Sequence, residues 1–364
     1  MLRSQHRVYD GSGEVARTQD VWGAEGISGR VKFLPLAWAG MPKTSFRKNS
    51  DSPLKGFKCF ADFKAQGFMQ VNLIGGKNNV GKTAFLEACF VNVSAQDIKN
   101  FTKVLVSIKF MRENLNLLLG DIERNIQQFI EQSNGIFVRS NINTCSYQIE
   151  NKEGIKKYFF SFNNESIGIN VNEFSFELSD MEKIHFIDNF GLSNSHVINY
   201  YSSLQKKDAE ASLNIILNEF DSSIEVFKII DEKPQCKVNG KYLELTELGD
   251  GVRHLVSIVT SLYASENGYL FIDEMDNGIH YTVLGELWNV IFTLSAKLNV
   301  QVFATTHSKE CIEAFNHVQH DLGDKQSAYF EMARNIKTEQ IFMRDLDDEQ
   351  LAYELTHQGK YRGE

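Results

Sequence analysis

The chain has 364 residues with a formal net charge of −9, and 42% of its residues are hydrophobic. That much apolar material can fill one large core or two lobes, which excludes a disordered chain and a small disulfide-stapled scaffold. Five scattered cysteines without a CxxC pair indicate a cytoplasmic protein with reduced thiols, and no apolar run is long enough for a membrane span. The negative net charge argues against a basic surface over the whole fold and so against strong autonomous DNA binding. A local basic patch is still compatible with this net charge.

Residues 1–53 differ in composition from the rest of the chain. They hold three of the four prolines and two of the three tryptophans, and no helical or strand period persists there. We therefore expect a flexible or poorly ordered N-terminal arm, with a partner-binding arm as the alternative. We place one globular unit at residues 54–344 and a C-terminal helix and tail at residues 345–364.

The first predicted elements surround a glycine-rich loop. Strands are expected at residues 54–63 and 68–75, the second ending in apolar residues just before two glycines. A helix is expected over residues 82–93. The order strand, glycine-rich loop, helix is the context in which a phosphate-binding loop is found.

A long insertion follows this helix. Apolar residues three and four positions apart predict helix over residues 96–133, and alternation with turn residues predicts short strands over residues 135–190. A further helix is expected over residues 204–220. We group residues 94–220 as an inserted helical and β lobe, which lacks the sustained heptad seam of a long coiled-coil arm.

The second half of the chain alternates strands with helices. Strands are predicted at residues 224–230 and 235–245, with Asn239-Gly240 as a tight hairpin turn. A helix, a strand, a helix and a strand then follow, at residues 252–265, 269–272, 282–297 and 300–304. This alternation is typical of a mainly parallel sheet joined by crossover helices.

The strongest chemical signal is the run GKNNVGKT, which matches the phosphate-loop pattern GxxxxGK[ST]. Its glycines let the backbone turn N–H groups inward, and the helix that follows directs its positive end at the same anion. Lys82 adds a positive charge between the β and γ phosphates, and the Thr83 hydroxyl is a Mg²⁺ ligand. We predict that a nucleoside triphosphate binds along this run, at Gly76, Asn78, Asn79, Val80, Gly81, Lys82, Thr83 and Ala84.

Two further apolar strands end in residues that suit the same chemistry. YLFI is followed by Asp273 and Glu274, and VFATT is followed by His307. At the carboxyl edge of a parallel sheet, Asp273 would hold Mg²⁺ and Glu274 would act as the base on the attacking water. His307 would donate to the γ-phosphate as a sensor, with a hydrogen-bonded core histidine as the alternative.

A glycine-bearing turn, LGDGVRHL, opens the helix that leads into the Asp273 strand. A helix start with small residues is a second anion site. Within one chain this turn would lie too far from Lys82 to share a nucleotide. We therefore expect Gly249 and Gly251 to complete the nucleotide site of a second copy.

Five segments together resemble the ABC-type ATPase heads of the SMC, RecF and OLD group. They are GFKCFADF, LIGGKNNVGKTAFLEA, LGDGVRHL, YLFIDEMDNGIH and FATTHS. The resemblance covers about residues 54–318 and is particularly close to short prokaryotic AAA-type ATP-binding proteins. It implies an α/β P-loop NTPase head with two lobes and a mixed or parallel central sheet, in which the inserted lobe stands between the phosphate loop and the signature turn.

The resemblance also implies a mode of action. ATP and Mg²⁺ would bind between two heads arranged head to tail, in a homodimer or a higher even oligomer, and hydrolysis would release the heads. Several short members of the group serve in phage-defence or toxin-like systems. We therefore expect a nucleotide-gated switch with a nuclease or toxin as effector. The alternatives are a RecF- or SMC-like DNA-binding ATPase in repair or maintenance and an ATP-binding structural subunit that barely hydrolyses.

The sequence departs from the group in two places. The signature normally begins Leu-Ser, and here Gly249 stands in the serine position, so a hydroxyl that would contact the γ-phosphate is missing. The glutamine that such heads use near Mg²⁺ has several candidates in the insertion and is not assigned. The tail carries Asp345 and Asp347, which mimic an acidic nuclease pair, but too few residues follow His307 for a nuclease fold, so we expect a strand, an Asp cap and a helix over residues 348–357.

Overall fold

The computed structural model describes most of the predicted globular unit. The described residues are 30–33, 59–60, 62–95, 97–98, 100–101, 104, 136–139, 143–152, 155–170, 183–189, 191–324 and 326–357. Most of the N-terminal arm, most of the helix predicted over residues 96–133 and the tail from residue 358 lie outside these ranges. The described residues between 98 and 104 are helical, as predicted.

In the first half of the chain, one helix follows the phosphate loop, and short strands precede and follow it in the sequence. The elements here are β1 (Arg30–Phe33), β2 (Asp62–Ala65), β3 (Val71–Gly75), α1 (Lys82–Ser94), β4 (Ile136–Arg139), β5 (Thr144–Lys152), β6 (Ile155–Phe162), β7 (Glu165–Asn170) and β8 (Ile184–Ile187). The short strands predicted over residues 135–190 are thereby present in the described part of that segment.

Helices and strands alternate in the second half. The elements here are α2 (Asn194–Gln205), α3 (Glu210–Phe220), β9 (Ile224–Ile230), β10 (Lys233–Val238), β11 (Lys241–Glu244), α4 (Asp250–Ala264), β12 (Tyr269–Ile272), α5 (Leu284–Leu298), β13 (Gln301–Thr305), α6 (Lys309–Asp321), β14 (Ser327–Arg334), β15 (Ile341–Leu346) and α7 (Asp348–Thr356). Asn239 and Gly240, at φ of 49° and 80°, form the predicted tight turn between β10 and β11.

The central sheet is mixed, as expected. Its strand order is β15-β14-β3-β13-β12-β8. Every neighbouring pair from β14 to β8 is parallel, and β15 pairs antiparallel with β14. Because β3, β13 and β12 are adjacent and parallel, their carboxyl ends meet at one edge of the sheet. This edge carries the phosphate loop and the residues that follow the other two strands.

Apolar residues fill both faces of the central sheet. Phe271 and Phe303 pack on the α1 side, whereas Leu270 and Val302 pack on the side of α4, α5 and α6. All residues of β3, β12 and β13 are buried. Burial on both faces accounts for the nearly continuous apolar runs of these strands, which is the pattern of a covered parallel sheet.

The structure differs from the prediction in several places. The strand expected at residues 54–63 overlaps β2 only at Asp62 and Phe63, and Cys59 and Phe60 lie outside any strand. Residues 204–220 were expected to form one helix, but α2 ends at Gln205 and α3 begins at Glu210, because Asp208 takes a left-handed conformation (φ 52°). Within the predicted irregular arm, β1 forms a parallel strand between β2 and β4. A four-residue strand is too short to show a period in the sequence, and its partners are distant in the chain.

None of the helices that the structure describes is long and apolar enough to cross a membrane.

Candidate functional site

The phosphate loop connects β3 directly to α1. Gly76 and Gly81 have φ of 142° and 98°, in the region that favours glycine. A Cβ on Gly76 would lie 2.3 Å from the Met332 carbonyl oxygen of β14, and one on Gly81 would lie 2.6 Å from Cys59 Sγ. The two glycines are therefore required by backbone conformation and by close neighbours alike.

Lys82 is buried at the start of α1. Its Nζ donates to the carbonyl oxygens of Gly76, at 2.9 Å, and Lys77, at 3.0 Å. Burial lowers the pKa of the Lys82 ammonium, and the nearby carboxylates, with Glu274 first and then Asp273, oppose that effect. The ammonium thus lies inside the curve of the loop, close to the acidic residues that follow β12.

Asp273 follows β12 at the same edge of the sheet and is largely buried. Its Oδ1 accepts hydrogen bonds from the Thr83 hydroxyl, at 3.0 Å, and from the Thr305 hydroxyl, at 2.7 Å. A hydroxyl and a carboxylate are hard oxygen donors of the kind that Mg²⁺ prefers, beside the oxygens of a phosphate. Thr83 and Asp273 therefore fit the predicted metal site.

Glu274 and His307 lie side by side next to this pair. His307 Nδ1 is 3.2 Å from Glu274 Oε2, and both side chains are partly exposed. Glu274 has a φ of 51°, and its backbone N–H donates to the Thr305 hydroxyl at 2.9 Å. The sequence-predicted base and sensor are thus in contact and reachable from solvent.

The signature turn contacts the turn that follows Glu274. Gly251 is buried, and a Cβ there would lie 2.6 Å from the Gly278 carbonyl oxygen. Gly249 is exposed as the residue before α4, and a Cβ there would meet nothing within 4 Å. Gly251 thus packs within its own chain, and Gly249 is the member of the predicted pair that is open to solvent.

The structure brings most of the predicted site residues together. Lys82, Thr83, Asp273, Glu274 and His307 gather at the carboxyl ends of β3, β12 and β13. The remaining loop residues differ in exposure, since Asn78 and Asn79 are exposed and Val80 and Ala84 are buried under the loop.

The sequence analysis did not predict three residues of this site, Thr305, Thr306 and Asp276. The Thr305 hydroxyl donates to Asp273 as described, and the Thr306 hydroxyl donates to Asp276 Oδ1 at 2.6 Å. The available signal was the pair of hydroxyl residues just before His307, at the end of a buried strand.

Comparison with known proteins supports an ATPase. Residues 199–312 match the family model of the AAA ATPase domain. A protein of Helicobacter pylori (strain ATCC 700392 / 26695) described as an "ATP/GTP phosphatase" is 26% identical, and the match covers 73% of this chain and 86% of that protein. The matched AAA segment includes the signature turn, Asp273 and His307, and it confirms the predicted ATPase. The phosphate loop precedes this segment.

Two heads of SMC proteins are among the solved structures that match this chain. The SMC head domain from Thermotoga maritima matches with a TM-score of 0.39 and 11% identity, over 77% of this chain and 92% of that one. The Smc head domain with an extended coiled coil bound to the C-terminal domain of ScpA, from Pyrococcus furiosus, matches with a TM-score of 0.42 and 9% identity, over 84% and 97% of the two chains.

Proposed function

We propose that the chain binds ATP with Mg²⁺ at the phosphate loop and hydrolyses it with Glu274 as the general base. The observation that carries this proposal is the convergence of Lys82, the Thr83–Asp273 pair and the Glu274–His307 pair at one edge of the sheet. These groups supply the positive charge, the oxygen ligands and the proton acceptor that phosphoryl transfer to water needs.

Each side chain has one task in this mechanism. Lys82 releases its two loop carbonyl partners and donates to phosphate oxygens instead. The positive charge of its ammonium group then lies next to the negative charge of the phosphates. Bound Mg²⁺ would neutralise phosphate charge, held by Thr83 and Asp273. Glu274 accepts a proton from the water that attacks the γ-phosphorus, and ADP leaves.

His307 acts beside the base. Its Nδ1 lies 3.2 Å from Glu274 Oε2 without hydrogen-bond geometry, and in our proposal this contact tightens when ATP binds and leaves Nε2 for the γ-phosphate. In this arrangement the histidine orients Glu274 and stabilises charge on the phosphate that is transferred. Loss of the γ-phosphate removes that contact, so the pair can report the state of the nucleotide.

Two variants test this assignment. Lys82→Ala should lose ATP binding, whereas Glu274→Gln should bind ATP and release phosphate about 10²- to 10⁴-fold more slowly. Glu313→Gln is the matched control, because Glu313 lies on α6 and pairs with Lys309 there. Phosphate release from Glu274→Gln at the wild-type rate would rule out Glu274 as the base, and unchanged ATP binding by Lys82→Ala would rule out the loop as the ATP site.

We further propose that two copies close head to tail on ATP and open after hydrolysis. Gly249 supports this arrangement, since the small residue at the start of α4 is exposed and has open space beside it. A helix start of this kind favours an anion, and the phosphates held by a facing copy would supply one. Each signature turn would then complete the other copy's site.

The open space at Gly249 allows a direct test of pairing. Gly249→Arg adds a side chain that meets no atom of its own chain within 4 Å of the Cβ, so the fold should be retained. In the Glu274→Gln background, ATP should produce a dimer that Gly249→Arg abolishes. Ala352→Arg, at an exposed position of α7, should leave the dimer intact. Sedimentation velocity with ATP would measure both, and a dimer that forms despite Gly249→Arg would contradict the proposed geometry.

The output of this cycle, in our proposal, is a change of shape that a nuclease or toxin effector reads in phage defence. The sequence resemblance to short prokaryotic members of the SMC, RecF and OLD group supports this proposal, and the net charge of −9 favours a protein partner over DNA. Co-expression with the neighbouring gene product tests it, because effector binding should require ATP and fail for Lys82→Ala. ATP-dependent, salt-sensitive binding of duplex DNA by the isolated protein would favour the repair or maintenance alternative instead.

A further inference from the structure

We propose that Thr305 is a positioning residue for hydrolysis, which holds Asp273 and the base Glu274 in register through a single hydroxyl. This inference rests on the proposed function and concerns how the acidic turn is kept in a productive geometry. Thr305 is fully buried at the carboxyl end of β13, between the phosphate-loop strand and the Asp273 strand.

The Thr305 hydroxyl makes two hydrogen bonds of opposite direction. It donates to Asp273 Oδ1 at 2.7 Å and accepts from the Glu274 backbone N–H at 2.9 Å. A hydroxyl has one proton, so donation to Asp273 directs a lone pair at the Glu274 N–H. The same oxygen atom therefore fixes the carboxylate of one residue and the backbone of the next.

The Thr305 backbone extends this clamp to a third residue. Its carbonyl oxygen accepts from the Met275 N–H at 3.0 Å. Asp273, Glu274 and Met275 are thereby anchored, one after another, to a single position of the neighbouring strand. This anchoring matters at Glu274, because its φ of 51° is a left-handed conformation that is unfavourable for a non-glycine residue unless its surroundings hold it there.

Asp273 is restricted by the same arrangement. Its Oδ1 accepts from Thr305 on one side and from Thr83 on the other. Two donors on one oxygen limit rotation of the carboxylate, which presents it in one orientation to the metal site. Removal of the Thr305 hydroxyl would loosen Asp273 and Glu274 at once, while the Thr83 contact remained.

A shape-conserving substitution separates this role from packing. Thr305→Val keeps the β-branched volume in the buried strand and deletes the hydroxyl. We expect kcat for ATP to fall about 10- to 100-fold, since small displacements of a catalytic group cost that much. KM and the Kd for ATP should change less than about 2-fold, because neither Lys82 nor the loop backbone is bonded to Thr305 in the contacts described. Thr305→Ser, which keeps the hydroxyl, should restore most of kcat.

The chain offers a matched control for the loss of one buried threonine hydroxyl. Thr260 is also fully buried, and its hydroxyl donates to carbonyl oxygens of its own helix, α4. Thr260→Val should leave kcat near the wild-type value. Thermal unfolding of each variant should accompany the kinetics, so that a change in kcat is compared at equal folded fraction.

A double-mutant cycle gives the readout that a purely structural role would not move. If Thr305 acts through Glu274 as well as Asp273, Thr305→Val should slow turnover less in the Glu274→Gln background than in the wild type, because only the loss through Asp273 remains there. Equal fold losses in both backgrounds, or a kcat unchanged by Thr305→Val, would overturn the inference. Failure of the proposed function would look different, because Glu274→Gln itself would then hydrolyse ATP at the wild-type rate.

The serine variant keeps the test decisive if the valine variant folds poorly. A folded Thr305→Ser protein with wild-type kcat supports the hydroxyl as the working group. A folded Thr305→Ser protein that is as slow as Thr305→Ala would show that the methyl group matters instead, and the inference would be wrong.

Discussion

The Thr83 hydroxyl lies 3.0 Å from Asp273 Oδ1, although 190 positions separate the two residues in the chain. Thr83 stands in the first turn of α1 and Asp273 directly follows β12. Parallel pairing of β3 and β12 with β13 brings the ends of these strands to one edge. The proximity of hydroxyl and carboxylate is therefore a consequence of sheet order.

The first prediction concerns this pair. Asp273→Asn should reduce Mg²⁺-dependent ATP hydrolysis at least about 100-fold, because an amide lacks the negative charge that a Mg²⁺ site needs. Phosphate release measured across a range of Mg²⁺ concentrations would show whether added metal recovers any rate. ATP binding in the presence of a chelator should persist, since Lys82 and the loop N–H groups are unchanged.

Asp345→Asn is the control for this experiment. Asp345 is exposed on the edge strand β15, separated from β3 by β14 and from β12 by three strands, and should not affect turnover. Full activity in Asp273→Asn together with a loss of hydrolysis in Asp345→Asn would contradict the assignment of Asp273 as the Mg²⁺ ligand. Asp347, the other member of the acidic pair, accepts from the Gln350 N–H at 2.7 Å and so caps α7 as predicted.

The site residues that the sequence predicted have local signatures. GKNNVGKT can be read as a phosphate loop without knowledge of any other segment, because its glycines, lysine and threonine follow a strand and open a helix. Asp273 and His307 can be recognised for a related reason. Each follows an apolar strand, at a position where a polar side chain is not needed to pack the core. Their shared edge then followed from the rule that parallel strands end together.

Thr305 was not predicted, because its role depends on which strand lies between which. Threonine is common in strands, so its presence at the end of β13 is unremarkable in the sequence. Its two hydrogen bonds exist because β13 pairs with β12 and opposes Thr305 to Asp273. The order of the strands along the chain shows that β13 follows β12, but it does not reveal that β13 lies next to β3 in the sheet.

The break between α2 and α3 at Asp208 was not predicted for a simpler reason. The helical spacing of apolar residues continues on both sides of it.

The second prediction tests the loop backbone. Gly76→Ala should weaken ATP binding at least about 10-fold, because strain from a positive φ costs about 1–3 kcal/mol and the new Cβ would lie 2.3 Å from the Met332 carbonyl oxygen. Either the loop or β14 must shift, and the loop N–H groups would lose their common direction. Isothermal titration with ATP measures the change.

Gly285→Ala provides the contrast. Gly285 lies in α5, where a Cβ meets nothing within 4 Å, and alanine in a helix is favourable relative to glycine. This variant should bind ATP like the wild type and be equally or more stable to heat. If Gly76→Ala bound ATP normally while folding normally, the loop would not be the nucleotide cradle.

The third prediction concerns the sensor. His307→Ala should lower kcat about 10- to 100-fold with little change in the Kd for ATP, because in the proposed mechanism the ring, 3.2 Å from Glu274, orients the base while the loop holds the phosphates. His317→Ala is the matched control, since His317 is exposed on α6 and contacts Asp321 there. Single-turnover phosphate release separates this effect from product release. An unaltered single-turnover rate in His307→Ala would return His307 to a structural role.

The fourth prediction concerns stability and pH. His254 is buried on α4, and burial lowers its pKa from 6.5 to about 4, an effect that a hydrogen bond with the Met275 backbone partly opposes. The unfolded chain binds a proton at a higher pH than the folded chain, so this group stabilises the fold fully above pH 6.5. Its contribution, on the order of 3 kcal/mol, should be lost as the pH falls from 6.5 towards 4. Urea unfolding at pH 7.5, 6 and 5 should therefore show a steeper loss of stability in the wild type than in His254→Gln, which cannot take up the proton. Parallel pH profiles for the two proteins would mean that His254 does not titrate on unfolding in this range.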